Sequence, residues 1–144
     1  MTRRVIFNAD DFGASTGINR AIVDCHVRGV VTSTSLMVTG RAVDDAVAMS
    51  REHPALSIGL HWDVVGEDDI HFDISDVAAA RDELRRQLSE FDRLFGRLPT
   101  HLDSHRHIHR KEHLFPMFVE EVRPFGVPMR GDGRVNLIGG FYAQ

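Results

Sequence analysis

Residues 56–61 read LSIGLH, a short apolar run that predicts a buried β-strand ending in a histidine. The next segment, residues 76–95, carries Val77, Leu84 and Leu88 at helical spacing, and Gly96 ends it. A second strand, THLDSH, is predicted at residues 100–105. A strand, a helix and another strand in this order are typical of a unit in which the two strands run parallel.

The same alternation extends through the rest of the chain. Strands are also predicted at residues 4–9 and 30–38, and a candidate fifth strand begins at residue 127. Ser15 or Thr16 is predicted to cap the first helix, a second helix carries Val43 and stops before Pro54, and another is predicted between residue 105 and Gly126. The sequence therefore predicts an α/β fold with about five mainly parallel strands and flanking helices.

Composition limits the classes of protein to consider. The chain has 144 residues, 42% of them hydrophobic, and a net charge of −4. This length suits one domain and falls short of the roughly 250 residues of a complete eight-fold βα barrel. No apolar run approaches the roughly 20 residues of a membrane span, and no signal-peptide core is visible, so we expect a soluble, cytoplasmic protein. The acidic balance, without a basic stripe, argues against nucleic acid as the main partner.

The only cysteine, Cys25, cannot form an internal disulfide, which agrees with a reducing compartment. It follows Ile18, Ala21 and Ile22 on one face of the first predicted helix. We therefore expect Cys25 in the core rather than as a nucleophile.

Metal-binding residue types stand at the predicted C-terminal ends of three strands. They are Asp10 and Asp11, His61, and the cluster at residues 103–109. Active sites of parallel βα folds are assembled at this end of the sheet. If residues 101–109 were extended, alternate side chains would share one face; these are His101, Asp103, His105, His107 and His109. Each of the three groups also has an ordinary interpretation. Asp10 and Asp11 could form a turn that caps the next helix, and His61 could be a buried histidine hydrogen-bonded to backbone. The cluster could be a solvated polar loop.

Two histidines and a carboxylate would make a facial triad with open coordination positions. Such a site suits zinc, manganese, iron or cobalt, and magnesium is not excluded although it prefers more oxygen ligands. The cation would lower the pKa of a bound water toward roughly 7, and a neighbouring carboxylate could take the proton. Asp10 beside Asp11 fits this division of roles. The residue types therefore predict metal-assisted hydrolysis without identifying a substrate.

Four ordered segments resemble the YdjC-like carbohydrate deacetylases, a family that includes chitooligosaccharide deacetylases and hopanoid-biosynthesis-associated proteins. The segments are NADDFG at 8–13, GVVTSTS at 29–35, IGLH at 58–61 and THLDSHRHIH at 100–109. The resemblance extends from Arg4 to about Tyr142. It implies a distorted βα barrel, here incomplete, and hydrolysis of an N-acetyl group from an amino sugar.

The resemblance also implies roles for individual residues. Asp11, His61 and His105 match the ligands of a divalent metal, magnesium or zinc, and Asp10 matches the general base. His107 and His109 match histidines of the substrate pocket, and we expect Asp103 to line the same pocket. The expected partner is an N-acetylated sugar.

The segment GGFY at 139–142 resembles a motif from the middle of the family. We therefore expect residues 1–144 to form a single deacetylase domain that lacks the C-terminal part of the family fold. Two alternatives to catalysis stay open: a metal- or sugar-binding remnant, and one part of an assembly whose partner completes the barrel. An incomplete barrel would expose a sheet edge, which predicts a homo-oligomer.

Overall fold

The computed structural model describes residues 5–64, 72–135 and 138. Its strands are β1 (Asn8–Phe12), β2 (Ser33–Leu36), β3 (Ser57–Trp62) and β4 (Leu102–Ser104). Its α-helices are α1 (Thr16–Arg28), α2 (Val43–Glu52), α3 (Val77–Phe95) and α4 (Phe115–Val122). Short 3₁₀ segments cover His105–Arg110 and Arg123–Phe125.

The strands of the described ranges form one parallel sheet in the order β1-β2-β3-β4. Helices connect the strands, so the predicted α/β class with a mainly parallel sheet is confirmed. The candidate fifth strand is reduced to a single parallel bridge between Leu102 and Met129. The pairing is short because Pro128 has no N–H, and Gly131, with φ of 90°, turns the chain away.

The two faces of the sheet differ in polarity. Residues paired across neighbouring strands share a face, and the register aligns Leu36 with Leu60 and Leu60 with Leu102. These side chains are fully buried in the core, where Trp62 meets Phe118 edge to face at 4.9 Å. The opposite face is polar and carries Asn8, Ser33, Ser35, His61 and Asp103. That polar face holds the candidate site.

Helix ends follow local sequence signals. The Ser15 side chain accepts a hydrogen bond from the Ile18 N–H, which confirms the first of the two predicted caps for α1. The Asp76 carboxylate does the same for Ala79 at the start of α3, and Gly96, in the left-handed region, ends that helix.

The position predicted for Cys25 is wrong. Its side chain is exposed, because the buried residues of α1, Asn19 and Ile22, lie in the first two turns of the helix. In the described parts of the chain, no helix combines the length and the apolar character needed to cross a membrane.

Candidate metal centre

Asp11 lies at an irregularity in β1. The pairing of β1 with β2 shifts between Ala9 and Phe12, and Asp11 has a φ of 68°. The predicted strand ended before Asp10, whereas the observed strand includes both aspartates. A bulge re-aims side chains. Here it accompanies a pair of adjacent aspartates with different partners.

His61, near the end of β3, lies between two carboxylates. Its Nε2 is 3.1 Å from Asp11 Oδ1, and its Nδ1 is 2.5 Å from Asp103 Oδ1. Asp103 is paired with His61 in the sheet register and is completely buried. A histidine with a carboxylate behind one nitrogen is the usual arrangement for a metal-binding imidazole, because the carboxylate fixes the ring and its tautomer.

His105 completes the group at the end of β4. Its Nδ1 is 3.1 Å from the same Asp11 Oδ1, and its ring lies edge-on to that of His61 at 5.7 Å. One donor atom from each of Asp11, His61 and His105 falls within 4.8 Å of the other two. The structure thus brings together the three residues that the family resemblance implies as metal ligands.

Electrostatics at this group favour a bound cation. Hydrogen bonds from His105 and His61 hold the pKa of the Asp11 carboxyl well below its usual range, although burial opposes them. Burial alone would lower the pKa of His61, but its hydrogen bonds to Asp103 and Asp11 outweigh burial and raise that pKa to about 10. Without a metal the pocket therefore retains a proton, and a divalent cation would satisfy the same carboxylates.

A second set of donors, Asp10, His61 and Asp103, is also close enough to hold a metal. This set is already paired with a cationic side chain. Arg130 Nη2 lies 2.6 Å from Asp10 Oδ1 and 2.5 Å from Asp103 Oδ2. A metal there would face the guanidinium group, so the set with Asp11 and His105 is the better cation site.

Asp10 is held on two sides. Arg130 binds it in bidentate fashion, with Nη1 donating to Oδ2 at 2.9 Å and Nη2 donating to Oδ1. The Asn8 amide donates to Oδ1 at 2.8 Å. Arg130 was not among the predicted site residues. The available signal was its position in the segment that begins the candidate fifth strand, one residue after the bridge from Met129 to β4.

A cleft of about 380 Å³ opens over the group. Its lining residues are Asp10, Asp11, His61, His105, Arg106 and His107. Within the described ranges, the non-glycine residues with positive φ are Asp11, Arg106 and His107, and all three line this cleft. Such backbone costs roughly 1–3 kcal/mol per residue and is concentrated at functional sites.

The expectation of one extended face through residues 101–109 is wrong beyond Ser104. The chain enters a 3₁₀ segment there, and Arg106 and His107 adopt left-handed backbone angles. His107 lies in the cleft as expected, but Asp103 and His109 do not line it. Both are fully buried: Asp103 lies behind His61, and His109 bonds to Ser104 and to the Arg130 backbone.

His101 lies on the same polar face of the sheet, two residues before Asp103 in the chain. Its Nε2 is 3.0 Å from Ser35 Oγ, which donates a hydrogen bond to Asp103 at 2.7 Å. A side chain at Gly59 would overlap the His101 ring, so glycine in IGLH lets this histidine lie across β3.

Known proteins are similar to this chain over most of its length. The model of the YdjC-like protein family matches residues 4–141. Chitooligosaccharide deacetylases of Salmonella paratyphi B (strain ATCC BAA-1250 / SPB7) and Salmonella newport (strain SL254) are each 38% identical over 162 residues. Each of these alignments covers 95% of this chain and 62% of the relative, so the chain spans less than two thirds of their length.

A solved structure from Enterococcus faecalis V583, of a protein named for cellobiose-phosphate cleavage, has a similar fold. It superposes with a TM-score of 0.76 at 28% identity, covering 86% of this chain and 57% of the other. Together with the family match, these likenesses confirm the resemblance carried by the four sequence segments: the chain belongs to the YdjC-like protein family.

Proposed function

We propose that this chain carries the catalytic centre of a metal-dependent hydrolase that removes the acetyl group from an N-acetylated amino sugar. The observation that supports the proposal most directly is the convergence of Asp11, His61 and His105 on one point, with a separate carboxylate, Asp10, beside them. The names of the relatives supply the substrate class, since the curated ones are chitooligosaccharide deacetylases.

Asp11, His61 and His105 would hold the cation. When bound, it would supply Lewis acidity to the amide carbonyl and lower the pKa of a coordinated water. Two imidazoles and one carboxylate match zinc or another first-row transition metal better than magnesium, which prefers oxygen ligands. Asp103 would keep the His61 ring oriented through Nδ1, leaving Nε2 directed at the site.

Asp10 would act as the general base. Its carboxylate lines the cleft, and Arg130 and Asn8 fix its orientation. Asp11 is less suited to this role, because its Oδ1 faces both histidines of the cation site. Adjacent residues in the chain thus divide the roles of ligand and base. The bulge between Ala9 and Phe12 accompanies this division.

The test combines metal content with product formation. The chain would be loaded with zinc, cobalt or magnesium in turn, and acetate release would be measured from N-acetylglucosamine oligomers. Wild type should bind about one equivalent of the active metal, and His105→Ala should lose both metal and activity. His113→Ala is the matched control, because His113 is exposed and hydrogen-bonds the Ile74 carbonyl outside the cleft.

Each outcome bears on a different part of the proposal. Unchanged metal content in His105→Ala would contradict the cation site. Stoichiometric metal without acetate release from any N-acetylated sugar would overturn the catalytic assignment and favour a binding role.

A further inference from the structure

His109 is a buried histidine whose every nitrogen has a partner. Its Nε2 lies 2.8 Å from the Arg130 carbonyl, and its Nδ1 lies 2.6 Å from Ser104 Oγ. A carbonyl oxygen can only accept, so Nε2 carries the proton. Because burial lowers the pKa of His109 to about 4, the ring is neutral near pH 7 and Nδ1 accepts from the Ser104 hydroxyl.

Ser104 completes this arrangement. Its oxygen donates to the His109 ring and accepts the His109 backbone N–H at 2.9 Å. The serine is the last residue of β4, and it too is fully buried. His109 is therefore fixed to the end of β4 by its backbone and by its side chain, and its Nε2–H is directed at residue 130.

The backbone around Arg130 is paired with β4. Its N–H donates to Leu102 O at 2.9 Å, and Leu102 N–H donates to Pro128 O at 2.9 Å. In a parallel ladder that continued, the next donor to Arg130 O would be a backbone N–H of β4. The His109 imidazole donates to this carbonyl instead, just before Gly131 turns the chain away from the sheet. The imidazole thus extends the pairing by one bond at the residue that bears the guanidinium.

We propose that His109 is a positioning residue. By holding the Arg130 carbonyl, it fixes the position of the guanidinium group that orients Asp10 and neutralises Asp103. The family resemblance implies a place in the substrate pocket for this histidine, whereas the structure places it behind the cleft. Its effect on turnover rests on the proposed function of Asp10 as general base. Its effect on Arg130 does not.

Two substitutions test the hydrogen bonds of the two ring nitrogens separately. In His109→Gln the side-chain amide extends to about the position of Nε2 and can still donate to Arg130 O. In His109→Asn the amide is shorter, so it can meet Ser104 but falls short of Arg130. His113→Asn is the matched control, because it removes an Nε2 contact to a backbone carbonyl, that of Ile74, and neither residue is among those that line the cleft.

Three measurements would be made on each variant: metal content, kcat and KM for acetate release, and the NMR signals of the Arg130 guanidinium. A guanidinium held by two carboxylates rotates slowly and gives separate Nη signals. We expect His109→Asn to average these signals and to lower kcat by about tenfold or more, with metal content and KM unchanged. His109→Gln should recover most of both properties, and His113→Asn should match wild type.

A double substitution gives an independent check. Once Arg130 is replaced by glutamine, His109→Asn should lower kcat no further, because the two residues act through one contact. Equal losses in the Gln and Asn variants, or separate Nη signals retained in His109→Asn, would overturn the inference. If wild type releases no acetate, the proposed function fails, and the Arg130 signals alone decide the role of His109.

Discussion

Arg130 and Asp10 lie 120 residues apart in the chain, yet they form a bidentate ion pair at the edge of the cleft. The same guanidinium contacts Asp103, which lies behind His61. One arginine therefore connects the proposed base to the residue that orients a proposed ligand. A change at Arg130 should affect catalysis more than metal binding, since the guanidinium binds the proposed base in bidentate fashion and also contacts Asp103, which is not one of the three proposed ligands.

Replacement of Arg130 tests that connection. We expect Arg130→Gln to lower kcat on the order of tenfold to a hundredfold, because Asp10 loses its bidentate partner. Metal content should stay near that of wild type. Arg130→Lys should recover only part of the rate, because an ammonium cannot reproduce the planar, two-point contact. Steady-state acetate release and elemental analysis measure the two properties. A loss of metal equal to the loss of rate would contradict the assignment of Asp10 as base.

Asp103→Asn should weaken the cation site from behind. The buried carboxylate holds His61 Nδ1, and loss of its charge leaves the imidazole a poorer ligand. We expect metal affinity to fall by about tenfold to a hundredfold, measured by competition with a chromogenic chelator. Asp82→Asn serves as the control, since that carboxylate is 81% exposed on α3. Equal metal affinities in the two variants would show that Asp103 does not support the cation site.

The metal-free chain should lose stability as pH rises above neutrality. The pKa of His61 is about 10 in the folded protein and about 6.5 when the chain is unfolded. Between these values the folded state binds more protons than the unfolded state, so the stabilisation present below pH 6.5 is lost as pH rises toward 10. Urea denaturation from pH 6 to about 10 measures this slope.

Two comparisons control the pH experiment. His61→Gln should not show the contribution of the raised histidine pKa, so its slope should be flatter. Saturating metal should also flatten the slope, because a metal ligand must be a neutral imidazole. A wild-type slope equal to that of His61→Gln would show that the proton is not held at His61.

The sequence predicted that Asp10 and Asp11, His61 and the cluster at 103–109 converge, because strand ends of a parallel sheet meet at one edge. The choice of Asp11, His61 and His105 within these groups came from the family resemblance. Three features were not predictable in the same way. The left-handed angles at Arg106 and His107 break an alternation that looked like an extended strand. Arg130 follows a pairing of one bridge, too short to stand out from turn residues. Asp103 and His109 are residue types common in active-site pockets, but here both side chains are fully buried. The residue type alone does not show whether a side chain faces the cleft or the protein interior.

Gly59 offers a test of the polar face beneath the site. A methyl group there would overlap the His101 ring, so Gly59→Ala should displace His101 from Ser35 and destabilise the fold by about 1–3 kcal/mol. Gly17→Ala is the matched control: Gly17 is exposed in α1 and has room for a methyl group, so alanine there should stabilise by about 0.5 kcal/mol. Urea midpoints of the two variants should therefore move in opposite directions. A Gly59→Ala variant as stable as wild type would show that His101 can leave its place across β3 without loss of stability. The contacts from His101 through Ser35 to Asp103 would then not be needed to stabilise the site.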